Sequence, residues 1–179
     1  DSFTFNLIQL LEQHDAEVQI VSGAAQEVPN LVDFDRILFS PGPGLPEEFP
    51  LMFKILSMPS DLPILGICLG MQAICIFYGG RLFKQDKVQH GQIKNVSKTL
   101  PSSSLFQNIP DSFEVGLYHS WAVQKEIIPS VLSVTCISDD GVVMGLRHVS
   151  RNIEGVQFHP ESFLTPEGSQ ILRNWIGNR

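Results

Sequence analysis

The chain has 179 residues, of which 43% are hydrophobic and 17% charged, and this balance is typical of a compact protein with one core. Its net charge is −7, and no cluster of lysine and arginine stands out, which argues against a nucleic-acid partner. The three cysteines lack C-x-x-C spacing, and neither a membrane-length apolar run nor a secretion signal is visible. We therefore expect one cytoplasmic domain over residues 1–179, without disulfides, a zinc site or contact with a membrane.

The first third of the chain alternates predicted helices and strands. An amphipathic helical pattern opens the chain, with apolar residues at Leu7, Leu10 and Leu11 able to form one face. Branched and apolar runs then predict strands at 17–21 and 36–39, and a helix follows at 49–57. This order is typical of a parallel sheet covered by helices.

The next segment contains the spacing G-x-C-x-G, centred on Cys68. A buried strand at 64–67 leads into a helix at 71–78, so the cysteine falls on a sharp strand-to-helix turn like a nucleophile elbow. There the helix N-terminus favours the thiolate, and the N–H of Leu69 could donate to an oxyanion. The alternative is an unreactive buried cysteine in a glycine-rich turn.

The strand at 36–39 runs into a loop of two prolines and two glycines, residues 40–44. Prolines stiffen such a loop and glycines leave its backbone N–H groups uncovered, at the end of a parallel strand where ligands bind in open α/β sheets. An ordinary rigid turn explains the same residues equally well.

Beyond Gly80 the pattern changes to short β-like runs separated by turns, which we interpret as a small antiparallel section. The runs are 81–84, 92–98, 113–118, 131–137 and 142–147. A last strand begins at residue 153, and a terminal helix is predicted over about 166–176, with Thr165 as its N-cap.

That last strand runs into His159-Pro160-Glu161. Residues two apart in an extended segment point the same way, so the Glu161 carboxylate can hold one ring nitrogen of His159 and direct the other toward a thiol. With Cys68 this gives a nucleophile, a base and an orienting acid, although His-Pro-Glu alone is more often a turn. Gln72, one helical turn after Cys68, either faces the same pocket or bonds a neighbouring loop.

Four separated motifs together resemble the class I (triad) glutamine amidotransferases. They are residues 40–44, 66–72, 118–120 and 155–162. The opening residues 1–7 and the ending residues 164–168 are similar to the branch of that family that serves chorismate-using synthases, namely anthranilate synthase and aminodeoxychorismate (para-aminobenzoate) synthase. The resemblance implies an open, mostly parallel twisted α/β sheet flanked by helices, flavodoxin-like, with an additional small antiparallel section.

The resemblance also implies a reaction and its residues. Cys68 would attack the side-chain amide of L-glutamine, His159 would move the protons and Glu161 would orient His159. The N–H of Leu69, with one from the loop at Gly42, would hold the oxyanion. Positions that match the family's glutamine contacts are Gly42, Pro43, Gly44, Gln72, Ser120 and Trp121. The expected partner is a chorismate-binding synthase component that receives the ammonia, and neither a metal nor an organic cofactor is expected.

Three questions stay open at the level of sequence. The family begins with a strand just before the position of Asp1, so we expect the sheet of this chain to lack that strand. The partner could be the anthranilate or the aminodeoxychorismate synthase, or the chain could be an amidotransferase of another pathway. A cysteine peptidase or thioesterase on a similar elbow, and a regulatory protein that keeps the scaffold without catalysis, are the remaining alternatives.

Overall fold

The computed structural model describes residues 2–99 and 103–177, which form a mixed main sheet with helices on both faces and a second, two-stranded sheet. The helices are Ser2–Glu12 (α1), Pro50–Ser57 (α2), Leu69–Phe77 (α3) and Gly168–Gly177 (α4). The strands are Ile37–Phe39 (β1), Ile64–Ile67 (β2), Leu82–Lys84 (β3), Gln92–Lys98 (β4), Ser112–Leu117 (β5), Trp121–Val123 (β6), Leu132–Ser138 (β7), Val143–His148 (β8) and Ile153–Val156 (β9).

The main sheet has seven strands in the order β1-β2-β9-β8-β7-β4-β5. The first three are parallel to one another, and antiparallel pairings continue the sheet from β9 to β5. A separate antiparallel pair joins β3 to β6. The predicted fold class, an open α/β sheet flanked by helices with a small antiparallel section, is confirmed.

The central strand β2 shows why the sheet is covered on both faces. All four of its residues are buried, and successive side chains point to opposite sides. Leu65 and Ile67 pack in the cluster that holds α1 and α4, whereas Ile64 packs with α2 and α3. Each face therefore has its own hydrophobic core.

Most predicted elements are confirmed to within two residues at their ends, but the strand at 17–21 is wrong. Among the described residues that segment has no ladder partner, and it faces β1 across a cavity of about 440 Å³ lined by Gln19, Val21 and Leu38. An extended segment becomes a strand only when a neighbour bonds its backbone, and β1 is the edge strand of the sheet. The strand β6 was not predicted.

Within residues 2–99 and 103–177, none of the helices is both long and apolar enough to cross a membrane.

Candidate active site

Cys68 lies at the turn between β2 and α3, in a conformation that is rare for a residue with a side chain. Its φ is 51° and its ψ is −101°, and it directly precedes the first residue of α3. Strain of this kind persists only where the surrounding structure holds it, and it is the geometry of a nucleophile elbow. The side chain is 6% exposed.

Glycines on either side of the cysteine allow the helix to approach the sheet closely. A Cβ on Gly66 would collide with the backbone of Gly70 and Met71, and a Cβ on Gly70 would collide with Phe39. On the neighbouring strand β9, a Cβ on Gly155 would lie 2.8 Å from Met71 Cβ. The close packing fixes the start of α3, and with it the position of Cys68.

The N-terminus of α3 adds hydrogen-bond donors beside the sulfur. Leu69 is the first residue of the helix, so its N–H has no acceptor within the helix. The dipole of the helix favours negative charge at this end. The local structure can therefore stabilise both a thiolate and an oxyanion formed next to it.

His159 and Glu161 follow β9 at the carboxyl end of the parallel strands. His159 Nδ1 lies 2.7 Å from Glu161 Oε1, and both side chains are almost fully buried. A carboxylate only accepts, so the Nδ1 proton is on the imidazole and the ring is oriented by the acid. Nε2 of His159 is buried and forms no hydrogen bond of ordinary geometry with the described residues.

The charge state of His159 is set by two opposing effects. Burial lowers the pKa of His159, but interactions with Cys68 and Glu161 outweigh it and raise the pKa to about 9. Because Cys68 is one of the two residues that raise the pKa of His159, its sulfur lies close enough to interact with the ring. A protonated imidazole beside a sulfur is the arrangement that favours a thiolate–imidazolium pair.

The backbone around His159 is fixed by neighbours in β5 and in the loop before α4. The His159 N–H donates to Gly116 O at 3.1 Å, and the Thr165 hydroxyl donates to His159 O at 2.7 Å while accepting from Gly116 N. The predicted N-cap, Thr165, is therefore wrong, because its hydroxyl bonds β5 and the backbone of His159 and α4 begins only at Gly168. The rings of Phe3 and Tyr118 pack against the imidazole, with centroids 4.8 and 5.0 Å away.

A chain of buried amides leads from Cys68 to the start of β6. Gln72 Nε2 donates to Trp121 O at 2.9 Å and to Gln157 Oε1 at 3.1 Å. Gln157 Nε2 in turn lies 3.4 Å from Cys68 Sγ. Gln72 and Trp121, both predicted to contact glutamine, are thus joined by a hydrogen bond. Ser120, the third predicted contact, is half-buried, and its carbonyl accepts from Gln85 N.

The loop at Gly42–Gly44 borders the start of α3. A Cβ on Gly42 would lie 3.0 Å from Leu69 Cδ2, and Gly44 has a φ of +83°, which suits glycine. Glu48 closes the loop by accepting from Leu45 N at 2.7 Å. Gly42, Pro43 and Leu69 also line the cavity described above, which does not include Cys68 or His159 in its lining.

The comparison with known families agrees with this geometry. The sequence model described as glutamine amidotransferase class-I matches residues 1–178. The chain belongs to the class-I glutamine amidotransferase family.

Two relatives of this amidotransferase match it over more than nine tenths of their own length. A Haemophilus influenzae protein, described provisionally as anthranilate synthase component II, is 41% identical over 177 residues that span 98% of this chain and 91% of the relative. Anthranilate synthase component 2 of Pseudomonas putida is 38% identical, with 98% and 92% covered. A crystal structure of a Thermoplasma acidophilum protein, described provisionally as part of a GMP synthase, has a TM-score of 0.86 at 27% identity, with 97% and 86% covered.

Two residues near the site of this amidotransferase were missed by sequence reasoning. Gln157 stands two positions before His159, so the alternation of an extended segment could have placed both on one side. His119 is 5% exposed, and its Nδ1 donates to Trp121 O at 2.8 Å. Burial lowers the pKa of His119 to about 4, and the charges of His159 and Lys94 act in the same direction. No local pattern signals a neutral buried imidazole.

Proposed function

We propose that this protein hydrolyses L-glutamine to glutamate and ammonia through Cys68, His159 and Glu161. The observation that carries the proposal is the buried hydrogen bond between His159 and Glu161, together with the rise in the pKa of His159 to which Cys68 contributes. In a member of this family, a sulfur at an elbow and an oriented imidazole supply the two functions that acyl transfer needs.

The reaction runs in two steps. The Cys68 thiolate attacks the amide carbon of glutamine, and the resulting oxyanion accepts from the N–H of Leu69 and from one in the Gly42 loop. His159 gives its proton to the departing nitrogen, so ammonia leaves and a γ-glutamyl thioester remains. Water then attacks the thioester as His159 takes its proton, which releases glutamate and restores the thiolate.

The substrate would be held by the residues that surround the elbow. Both N–H groups of Gln72 are used by Trp121 and Gln157, which leaves its Oε1 to accept from the amino group of glutamine. The loop at Gly42–Gly44 and the backbone of Ser120 and Trp121 would supply the remaining contacts.

We further propose that the ammonia passes to a chorismate-utilising synthase component, which makes either anthranilate or aminodeoxychorismate. The names of the relatives at 36–41% identity support this class of partner. Two aromatic side chains suit a docking surface: Phe163, two residues after Glu161, is 90% exposed, and Phe5, in α1 with Phe3, is 72% exposed. Phe163→Ser should weaken the complex at least tenfold without changing the fold.

One assay tests the chemistry and separates it from the alternatives. The protein, alone and with a candidate synthase, is incubated with L-glutamine, with peptides and with thioesters, and glutamate or acid release is measured. Glutamate release is expected; hydrolysis of peptides or thioesters with none of glutamine would replace the proposal by a general cysteine hydrolase.

A different pathway has one observation in its favour, the likeness to the Thermoplasma structure at 27% identity. Co-purification with a chorismate-utilising synthase, and glutamine-dependent product formation by that complex, would support the proposal. Stable association with a nucleotide amidating synthase instead would assign the chain to the other pathway.

A further inference from the structure

We propose that Gln157 is a catalytic residue that stabilises the Cys68 thiolate by donating a hydrogen bond to Sγ, and that Gln72 and the carbonyl of Trp121 fix the direction of that bond. This inference rests on the proposed function, since it takes Cys68 as the nucleophile. Gln157 Nε2 lies 3.4 Å from Cys68 Sγ, a normal distance for a bond to sulfur, and the residue is 0% exposed.

The orientation of the Gln157 amide follows from a backbone group that can only accept. Trp121 O receives Gln72 Nε2 at 2.9 Å, so the NH₂ group of Gln72 must face it. The second proton of that NH₂ group points to Gln157, whose oxygen lies 3.1 Å away. The NH₂ group of Gln157 is then left on the side of Cys68.

The reverse orientation is excluded by the same contacts. If the Gln157 amide were flipped, two NH₂ groups would face each other; if both amides were flipped, the oxygen of Gln72 would face Trp121 O. Trp121 O also accepts from His119 Nδ1 at 2.8 Å, so this carbonyl is held by two donors. His119 Nδ1 carries a proton in either charge state of the ring, because Trp121 O can only accept.

A fixed N–H donor has a definite chemical effect on a sulfur. It bonds the thiolate strongly and the thiol only weakly, so it increases the fraction of Cys68 that is ready to attack. His159 acts on the sulfur as well, with Glu161 behind it, and α3 adds its N-terminus. Unlike His159, Gln157 neither gives nor takes a proton, so its contribution is present throughout the titration of the imidazole.

The test measures alkylation of Cys68 by iodoacetamide between pH 5 and 9, in the whole protein without glutamine. The other two thiols, Cys75 and Cys136, should not react because both are fully buried. Burial also raises the pKa of both, and it raises the pKa of Cys75 to about 11. Peptide mass spectrometry identifies the labelled residue. The variants are Gln157→Met, which keeps the volume and removes the donor, and Gln157→Glu, which replaces the donor by oxygen. Gln170→Glu, on α4, is the matched control for added charge.

We expect Gln157→Met and Gln157→Glu to slow alkylation at pH 7 by about tenfold or more and to move the pH–rate profile to higher pH. Gln170→Glu should match the unaltered protein. For glutamine hydrolysis, kcat should fall with KM nearly constant, because the bond acts on the nucleophile and not on the substrate. Thermal melting and circular dichroism verify that each variant is folded.

An unchanged alkylation profile in folded Gln157→Met would overturn the inference. If Gln157→Glu fails to fold, Gln157→Met decides alone, and if both fail, Gln72→Leu removes the group that orients Gln157 and should give the same shift in alkylation. Failure of the proposed function would be seen in a different measurement, because the unaltered protein would then release no glutamate with or without its partner. The alkylation profile would still report whether Gln157 acts on the sulfur.

Discussion

Two buried histidines lie close to the same site, and at neutral pH one is protonated and the other is neutral. His159 follows β9 and is 3% exposed, whereas His119 lies between β5 and β6 and is 5% exposed. Burial lowers the pKa of both, yet the pKa of His159 rises to about 9 and that of His119 falls to about 4. The difference comes from their partners. Cys68 and Glu161 together raise the pKa of His159 above the effect of burial, whereas the bond from His119 Nδ1 to the carbonyl of Trp121 does not offset burial.

Loss of solvent alone therefore does not decide what a buried imidazole can do. A negatively charged partner compensates for desolvation and leaves a ring that can give a proton to a leaving group. A neutral partner leaves a ring that serves as a fixed donor in a hydrogen-bond network. Within one site, the first histidine is suited to proton transfer and the second to structure.

The largest expected effect comes from removing the sulfur. Cys68→Ala should lower glutamine hydrolysis by at least about 10³-fold, because the remaining groups bind substrate without a nucleophile. The pKa of His159 should also fall, since Cys68 is one of the causes of its rise, while that of His119 should stay low. Glutamate release and NMR titration of the two rings measure these outcomes; glutamine turnover equal to that of the unaltered protein would remove Cys68 from its role.

The next effect comes from the orienting acid. Glu161→Gln keeps the shape but removes the charge, so the pKa of His159 should fall and kcat should drop by about 10²- to 10⁴-fold. Glu154→Gln is the matched control, because Glu154 is a partly buried carboxylate on β9 that bonds Ser103 instead of a histidine. Equal losses in the two variants would show that burial of any carboxylate here, and not its bond to His159, is what matters.

The two histidines should also give the stability opposite dependences on pH. The raised pKa of His159 makes its contribution complete below about pH 6.5 and lost as the pH rises through 9. The lowered pKa of His119 makes its contribution complete above about pH 6.5 and lost as the pH falls through 4. Each difference corresponds to about 3 kcal/mol at most. Urea unfolding should show that His159→Gln flattens the alkaline side and His119→Gln the acidic side; identical curves for both variants would refute this assignment.

The smallest expected effect comes from Tyr118, where two substitutions distinguish the role of the ring from that of the hydroxyl. Tyr118 precedes His119 in sequence, packs its ring on His159, and bonds Ser162 Oγ at 3.0 Å. Tyr118→Phe should cost about 0.5–1.5 kcal/mol of unfolding free energy and leave kcat within about threefold, because the ring remains. Tyr118→Ala should lower kcat further. A loss in Tyr118→Phe as large as in Tyr118→Ala would show that the hydroxyl, and not the ring, holds His159.

The sequence predicted the parts of the site that depend on local geometry. The G-x-C-x-G spacing predicted the turn at Cys68, and the proline between His159 and Glu161 predicted that these two side chains pair; both geometries are present, while the catalytic roles stay a prediction. What could not be predicted depends on distant partners. Residues 17–21 carry a strand pattern but pair with no strand among the described residues. The Thr165 hydroxyl bonds Gly116 and His159, so only the backbone carbonyl of Thr165 accepts from the first residue of α4. The charge of His119 follows from burial by residues far away in the chain.

The glycines beneath the elbow have a consequence for how this protein can change over time. Because Gly66, Gly70 and Gly155 leave no room for a Cβ where α3 meets the sheet, substitutions there displace the very atoms that set the angle of the cysteine. A saturation library selected for growth should therefore be intolerant at these three positions, even though none of them takes part in the chemistry. The freedom to diversify would lie in the surface loops, and the turn itself would remain fixed.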